Sequence, residues 1–276
     1  MAVTILFEEI FMGWLKKIII SLFVIGILVL TAAAFSPEVR WGLIDFFKPL
    51  ITNTYIKFIR DKERIDADHV VTTLNNGMPI IVNDKDGCVC WSVRFVGAWD
   101  KSETVALTYL IKPGFKVIEA GGNFGVHTLR MARLVGDQGV VETFEANPAV
   151  SKYLAKSIFE LNKLKNVVVH QKGLGDKPQK VYLDYTISNI GGGNIVHEKT
   201  NDSLETEIVR LDDVFKTGKY DVLKMDTEGY EAKILQGAQK LLKRNPDMLI
   251  VMEWSKDALI SKGSDPAACL KNLQDL

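Results

Sequence analysis

Between Lys116 and Met252 short β-branched and aromatic runs alternate with amphipathic stretches of about ten to fifteen residues, and this rhythm limits the fold more than any other feature. Lys116–Ala120, Val140–Phe144, Val167–His170, Val222–Met225 and Met248–Met252 read as strands. Val126–Val135, Pro148–Leu161 and Glu231–Leu242 read as the helices between them. Strands separated by helices return in the same direction through right-handed crossovers, so the expected fold is α/β, a doubly wound parallel sheet. Upstream, Met78–Val82 and Val89–Phe95 read as a strand pair around the turn at Asn83–Gly87, and Ser102–Ile111 as a helix stopped by Pro113-Gly114. Residues 173–215, with the Gly191–Gly193 tract, break the rhythm and read as an insertion at the mouth of a site. After Met252 the sequence suggests a loop and one helix, Pro266–Leu276, with no further strand.

The amino-terminal part obeys a different rule. No residue from Ile18 to Phe35 is charged, and the run is extended upstream by Phe11, Met12, Trp14 and Leu15. That is about one bilayer thickness of helix, and the run lacks the polar face of a core helix. Lys16-Lys17 ahead of it and Thr31-Ala-Ala-Ala behind it also fit a cleaved signal peptide. Glu8, Glu9 and the length of the run favour a retained single-pass anchor. Basic residues from Arg40 to Arg64 favour a cytoplasmic catalytic domain. The expected organisation is an anchor over residues 1–36, a juxtamembrane linker over 37–67 and a catalytic domain over 68–276. The linker interleaves Trp41, Phe46, Phe47, Tyr55 and Phe58 with basic residues, which suits either a headgroup-bound helix or one packed on its own domain.

Charge excludes one class of function. Lys+Arg and Asp+Glu both number 34, and no basic run interrupts the chain, so nothing attracts nucleic acid. The cysteines number 3, too few for a disulfide scaffold, and Cys88-x-Cys90 lacks the further ligands of a zinc site. His69, His170 and His197 show no ligand spacing.

In a doubly wound sheet, ligands bind beyond the carboxyl ends of the strands where the winding reverses. The first strand of the series ends in Val117-Ile-Glu-Ala-Gly-Gly-Asn-Phe-Gly125. Gly121, Gly122 and Gly125 permit a tight turn, but not at the G-x-G-x-x-G spacing of dinucleotide binders, which disfavours a nicotinamide oxidoreductase. Glu145 ends the second strand, where a carboxylate can accept hydrogen bonds from two ribose hydroxyls. Glu119, ahead of the glycines, would repel a pyrophosphate but suits the ammonium and sulfonium end of S-adenosylmethionine.

The ordered motifs Glu119-Ala-Gly-Gly-Asn-Phe-Gly-Val-His-Thr128, Phe144-Glu-Ala-Asn-Pro148, Gly173-Leu-Gly-Asp176, Leu211-Asp-Asp-Val214 and Leu223-Lys-Met-Asp-Thr-Glu-Gly-Tyr-Glu231 resemble the FkbM family of methyltransferases. The resemblance covers about Trp99 to Trp254. It implies a class I, Rossmann-like methyltransferase fold that uses S-adenosylmethionine, generally for O-methylation of sugars or secondary metabolites. Carried over by position, Glu119, Gly121, Asn123 and Gly125 would line the methionine end of the donor, Glu145 the ribose and Asp176 the adenine. Class I enzymes normally add an antiparallel strand pair after the fifth strand; no such pair is read after Glu253, and Met78–Phe95 is the segment that could take its place.

Methyl transfer to a hydroxyl needs somewhere for the proton to go. The fourth strand ends in Lys224-Met-Asp-Thr-Glu228, which makes Asp226 the expected base, with Glu228 and Lys224 holding or polarising the acceptor. His127 is a lesser candidate. Asp226 and Glu253 end neighbouring strands, but two carboxylates are weak support for a metal, and none is expected. The acceptor read from this pattern is a small molecule, a glycan or a lipid-linked hydroxyl at a membrane. The alternative is an inactive methyltransferase-fold scaffold.

Overall fold

The computed structural model describes residues 56, 60–186, 189–196, 198–200 and 203–274. Asp61–Leu276 forms a compact unit. In chain order its first part contains β1 (Glu63–Arg64), β2 (His69–Thr73), β3 (Pro79–Asn83), α1 (Val89–Val96) and α2 (Lys101–Leu110). The winding begins with β4 (Lys116–Ala120), α3 (Val126–Val135), β5 (Val140–Phe144), α4 (Pro148–Ala155, continued by a π-helical stretch, Lys156–Leu161) and β6 (Val167–His170). An insertion follows, made of β7 (Gly173–Leu174), β8 (Gln179–Thr186), β9 (Asn189–Val196) and β10 (Leu204–Val209). The chain then forms α5 (Leu211–Val214), β11 (Val222–Met225), α6 (Glu231–Gln236), α7 (Gln239–Arg244), β12 (Leu249–Met252), α8 (Lys256–Ser261) and α9 (Pro266–Gln274).

The central sheet runs β12-β11-β4-β5-β6, and every neighbouring pair is parallel. Because β5 and β6 lie on one side of β4 and β11 and β12 on the other, the winding reverses between β4 and β11. This is the doubly wound, Rossmann-like topology expected, and the crevice at its reversal point is where a ligand belongs. Strand residues alternate between two cores. Val117, Val141 and Val222 face one with Leu129, Met131 and Leu154, while Ile118, Leu223 and Met225 face the other with Leu235 and Leu241. The insertion forms its own sheet in the order β7-β10-β8-β9.

Two local expectations fail. Val89–Phe95 is not the partner of β3; it lies in α1, and β3 pairs antiparallel with β2 instead. The Asp86 carboxylate accepts the amides of Cys88 and Cys90, at 3.0 Å each, and so starts a helix where β-branched residues suggest a strand. Gly97 at φ +74° ends that helix, which buries Val89, Cys90 and Val93 on one side. The tail holds two helices, α8 and α9, rather than one. Among the described residues no strand covers the outer edge of β12.

The membrane expectation is also corrected. Among the described residues no helix is long and apolar enough to cross a membrane. Even the continuous stretch from Pro148 to Leu161 falls short of the ~20 apolar residues a span requires, and it carries Lys152, Lys156 and Glu160. The fold established is therefore the Rossmann-like unit, without the transmembrane helix or single-pass membrane location read from the sequence. The Ile18–Phe35 run and the linker up to residue 55 lie outside the described residues, as does His197.

Candidate active site

The site starts from a backbone contact. Gly121, directly after β4, has φ +84°, and a Cβ there would sit 2.0 Å from the Asp226 carbonyl oxygen. Only glycine lets the β4 turn and the tip of β11 come so close. The Asp226 amide donates to the Ala120 carbonyl at 3.1 Å, which ties the two tips together. Two non-glycine residues at the site, Asn123 (φ +48°) and Glu228 (φ +53°), occupy the left-handed region, a conformation tolerated where surrounding structure enforces it.

The left-handed turn at Asn123 aims its amide at Glu145 Oε2, 2.7 Å away, and the Asn147 amide reaches Oε1, also at 2.7 Å. Each carboxylate oxygen thus has one fixed donor and a lone pair to spare. Burial pushes Glu145 up to about 7, a shift only partly opposed by these two amides and reinforced by Glu119. If the ionised form is what grips two ribose hydroxyls, donor affinity falls about tenfold from pH 8 to pH 6, since only about a tenth of Glu145 is ionised one unit below its midpoint. Isothermal titration at the two pH values measures this.

Glu145 opens on a cavity of 460 Å³ whose wall also includes Trp99, Asn123, Asn189, Asp226 and Glu253. A smaller hollow of 100 Å³ adjoins it, sharing Gly121, Glu145, Asp226 and Glu228 and reaching Tyr230 and Lys172. The main cavity exposes the carboxylates of Asp100, Glu103, Glu145, Asp226, Glu228 and Glu253 and no Lys or Arg. Burial and the nearby Asp226 and Glu228 charges push Glu253 up to about 7, and burial and Asp226 raise Glu228 as well.

The expected site residues divide into two groups. Gly121, Asn123, Glu145, Asp226 and Glu228 meet at the cavity wall. Glu119 and Lys224 do not line either hollow; both are sealed beneath it, at 0% and 1% exposure. Glu119 Oε2 accepts from Thr128 Oγ1 at 2.5 Å, and its Oε1 lies 3.6 Å from Lys224 Nζ. Glu119 therefore supports the floor instead of touching a donor at the wall. Burial disfavours the Lys224 charge, but Glu119, Glu103 and Asp226 together more than offset it and hold the ammonium above its ordinary value. Gly125 begins α3 at φ +101° and packs against Leu154, away from the hollows. Asp176 lies outside both linings, but its charge, after burial, raises the phenol of Tyr230 in the smaller hollow. His127 is buried and points at Glu103, 3.0 Å away, with no place on the wall.

Sequence reasoning missed Trp99, Asp100, Glu103 and Asn189. Asp100 caps α2 by accepting the Glu103 amide at 2.9 Å, so the Asp-x-x-Glu helix start was legible. That this helix end faces the cavity was not, because only tertiary packing brings it there.

The cavity fits S-adenosylmethionine. Its carboxylates favour a sulfonium and an ammonium, Glu145 follows the second strand at its rim, and the main cavity itself offers no Lys or Arg to a pyrophosphate.

Comparison with known proteins agrees. The family described as "Methyltransferase FkbM domain" matches residues 119–275, more than half of the chain. Over 144 residues the chain is 28% identical to Methyltransferase 1 of Beauveria bassiana, covering 44% of this chain and 57% of that protein. Over 73 residues it is 34% identical to the tRNA (adenine(58)-N(1))-methyltransferase TrmI of Thermus thermophilus, covering 26% of this chain and 29% of that one. The chain thus spans less than two thirds of the length of either relative. Among solved structures it is similar to an S-adenosylmethionine-dependent O-methyltransferase from Thermotoga maritima, at 15% identity and a TM-score of 0.39, covering 76% of this chain and 77% of that one. The family match covers the glycine turn, Glu145 and the tips of β11 and β12 alike, and the chain belongs to the FkbM methyltransferase family.

Proposed function

We propose that the chain methylates a hydroxyl of an uncharged, sugar-like acceptor. One observation carries the reading: the cavity beside Glu145 is walled by carboxylates and offers no Lys or Arg. Such a wall repels phosphate and carboxylate groups, accepts hydrogen bonds from a polyol, and places Asp226 where a hydroxyl proton can go. Trp99, Val89 and Ala106 give the same cavity an apolar side for a sugar ring.

When bound, S-adenosylmethionine supplies an electrophilic methyl group. The chain's own task is placement, with Glu145 fixing the ribose and the Gly121–Asp226 contact setting the distance between donor and acceptor subsites. Asp226, half-buried at the tip of β11, takes the acceptor proton as the oxygen becomes nucleophilic. Glu228 and Glu253 accept hydrogen bonds from neighbouring hydroxyls.

The test pairs neutral glycosides with the matching sugar phosphates and uronates, using donor labelled in its methyl group. Label should appear as a methoxy group on neutral glycosides, and preferential labelling of the phosphates or uronates refutes the reading. Asp226→Asn should lower transfer about 10²-fold, the usual scale for losing a general base, with donor affinity within twofold of the parent.

A further inference from the structure

The family match begins at residue 119, yet the cavity is not closed by that segment alone. Glu103, on α2 and before the matched segment, stands in its wall and also reaches beneath it. Its Oε1 lies 3.6 Å from Lys224 Nζ, and its Oε2 lies 3.0 Å from His127 Nε2. Lys224 Nζ is thereby enclosed by three carboxylates from three elements: Glu103 at 3.6 Å, Glu119 of β4 at 3.6 Å and Asp226 after β11 at 3.8 Å.

Each carboxylate has a different freedom. Glu119 is locked by Thr128 and by its register opposite Lys224, since the two residues are direct partners across β4 and β11. Asp226 is at the wall, its side chain 34% exposed and free to face an acceptor. Glu103 is the counterweight. Without it, the ammonium would be drawn toward Asp226 and Glu119 alone, and a carboxylate held more tightly by a cation is a weaker proton acceptor.

We infer that Glu103 is a positioning residue of the methyl-transfer site, supplied from outside the family-matched segment, which holds the Lys224 ammonium away from Asp226 and so leaves Asp226 available to the acceptor. The inference rests on the proposed role of Asp226 for its catalytic consequence, but its structural content can be measured without any acceptor.

The experiment follows the side-chain ammonium of Lys224 by 15N NMR in the full chain, with the resonance assigned by its loss in Lys224→Arg. In Glu103→Gln the Lys224 titration should move to lower pH by about 1–3 units, the usual scale of removing one opposite charge at this range. Glu103→Asp keeps the charge on a shorter arm and should shift the same way by less, which preserves the test if the Gln variant does not fold. Donor affinity should fall by less than about tenfold in both variants, since Glu103 is one of six carboxylates in the wall. An unmoved Lys224 titration in the folded variants overturns the inference, and so does a loss of donor affinity beyond tenfold, which would make Glu103 a donor contact. Methyl transfer to the glycosides should fall about tenfold in Glu103→Gln at saturating donor. If Asp226→Asn retains full transfer while Lys224 still responds to Glu103, the base assignment fails and the Lys224 contact stands. If Asp226→Asn is inactive and Lys224 does not respond, the Glu103 inference alone fails.

Discussion

Glu145→Ala is expected to weaken S-adenosylmethionine binding by a factor on the order of 10³. The carboxylate is held by the Asn123 and Asn147 amides, each at 2.7 Å, and in the proposed reading its remaining lone pairs accept the donor's ribose hydroxyls. Two hydrogen bonds to a charged group contribute about 1.5–3 kcal/mol each, so losing both accounts for that factor. The variant also orphans the Asn123 amide, whose left-handed turn shapes the donor subsite. Calorimetric titration measures the effect, and an affinity within tenfold of the parent contradicts the assignment. Stability should respond with the opposite sign at high pH. The folded-state value of about 7 lies above the ordinary 4.5, so Glu145 favours the folded state most below pH 4.5. That contribution is lost as pH rises through 7. The parent should therefore gain more in thermal midpoint from added donor at pH 8 than at pH 6, because the ligand finds the carboxylate already ionised.

Lys224→Met should destabilise the fold by about 3–5 kcal/mol at pH 8, the usual cost of leaving a buried partner charge without its counterion. Lys224 and Glu119 are both sealed, and the Lys224 ammonium is the cation in ion-pair range of Glu119 among the described residues. Once it is removed, the buried Glu119 carboxylate keeps only the Thr128 hydroxyl as a hydrogen-bond partner. Adding Glu119→Gln to Lys224→Met should recover most of the stability, since the second change removes the stranded charge. Urea unfolding of the two variants at pH 8 checks the pattern. Equal destabilisation in the single and double variants would show that lost packing outweighs the charge.

These two residues also show how far the sequence carries. The strand ends Glu119 and Lys224 stood out in the sequence, and the pairing of β4 with β11 makes them register partners. Which of them faces the ligand was not legible. That depends on which face of the sheet α3 and α2 cover, and those helices bury both side chains under the floor. Gly125 is similar: its need for φ +101° could be read from the glycine, but its use in packing Leu154 rather than lining a donor could not.

The alternation of strands and helices, the glycine turn and the acid closing the second strand fixed the parallel sheet and the donor crevice, because period and turn chemistry are local properties written residue by residue. The reversal of winding between β4 and β11 came with the family resemblance and is shown by the strand order, since handedness leaves open which strand the chain returns to. Tertiary structure alone decided the rest. It fixed Asp86, whose carboxylate starts the Val89–Val96 helix, by giving its other oxygen the Ile190 amide of β9 at 3.0 Å. It brought Glu103 and Trp99 to the cavity wall. Contacts between residues far apart in the chain carry no local signature, so burial, charge pairing and the identity of the wall emerge only when the layers close.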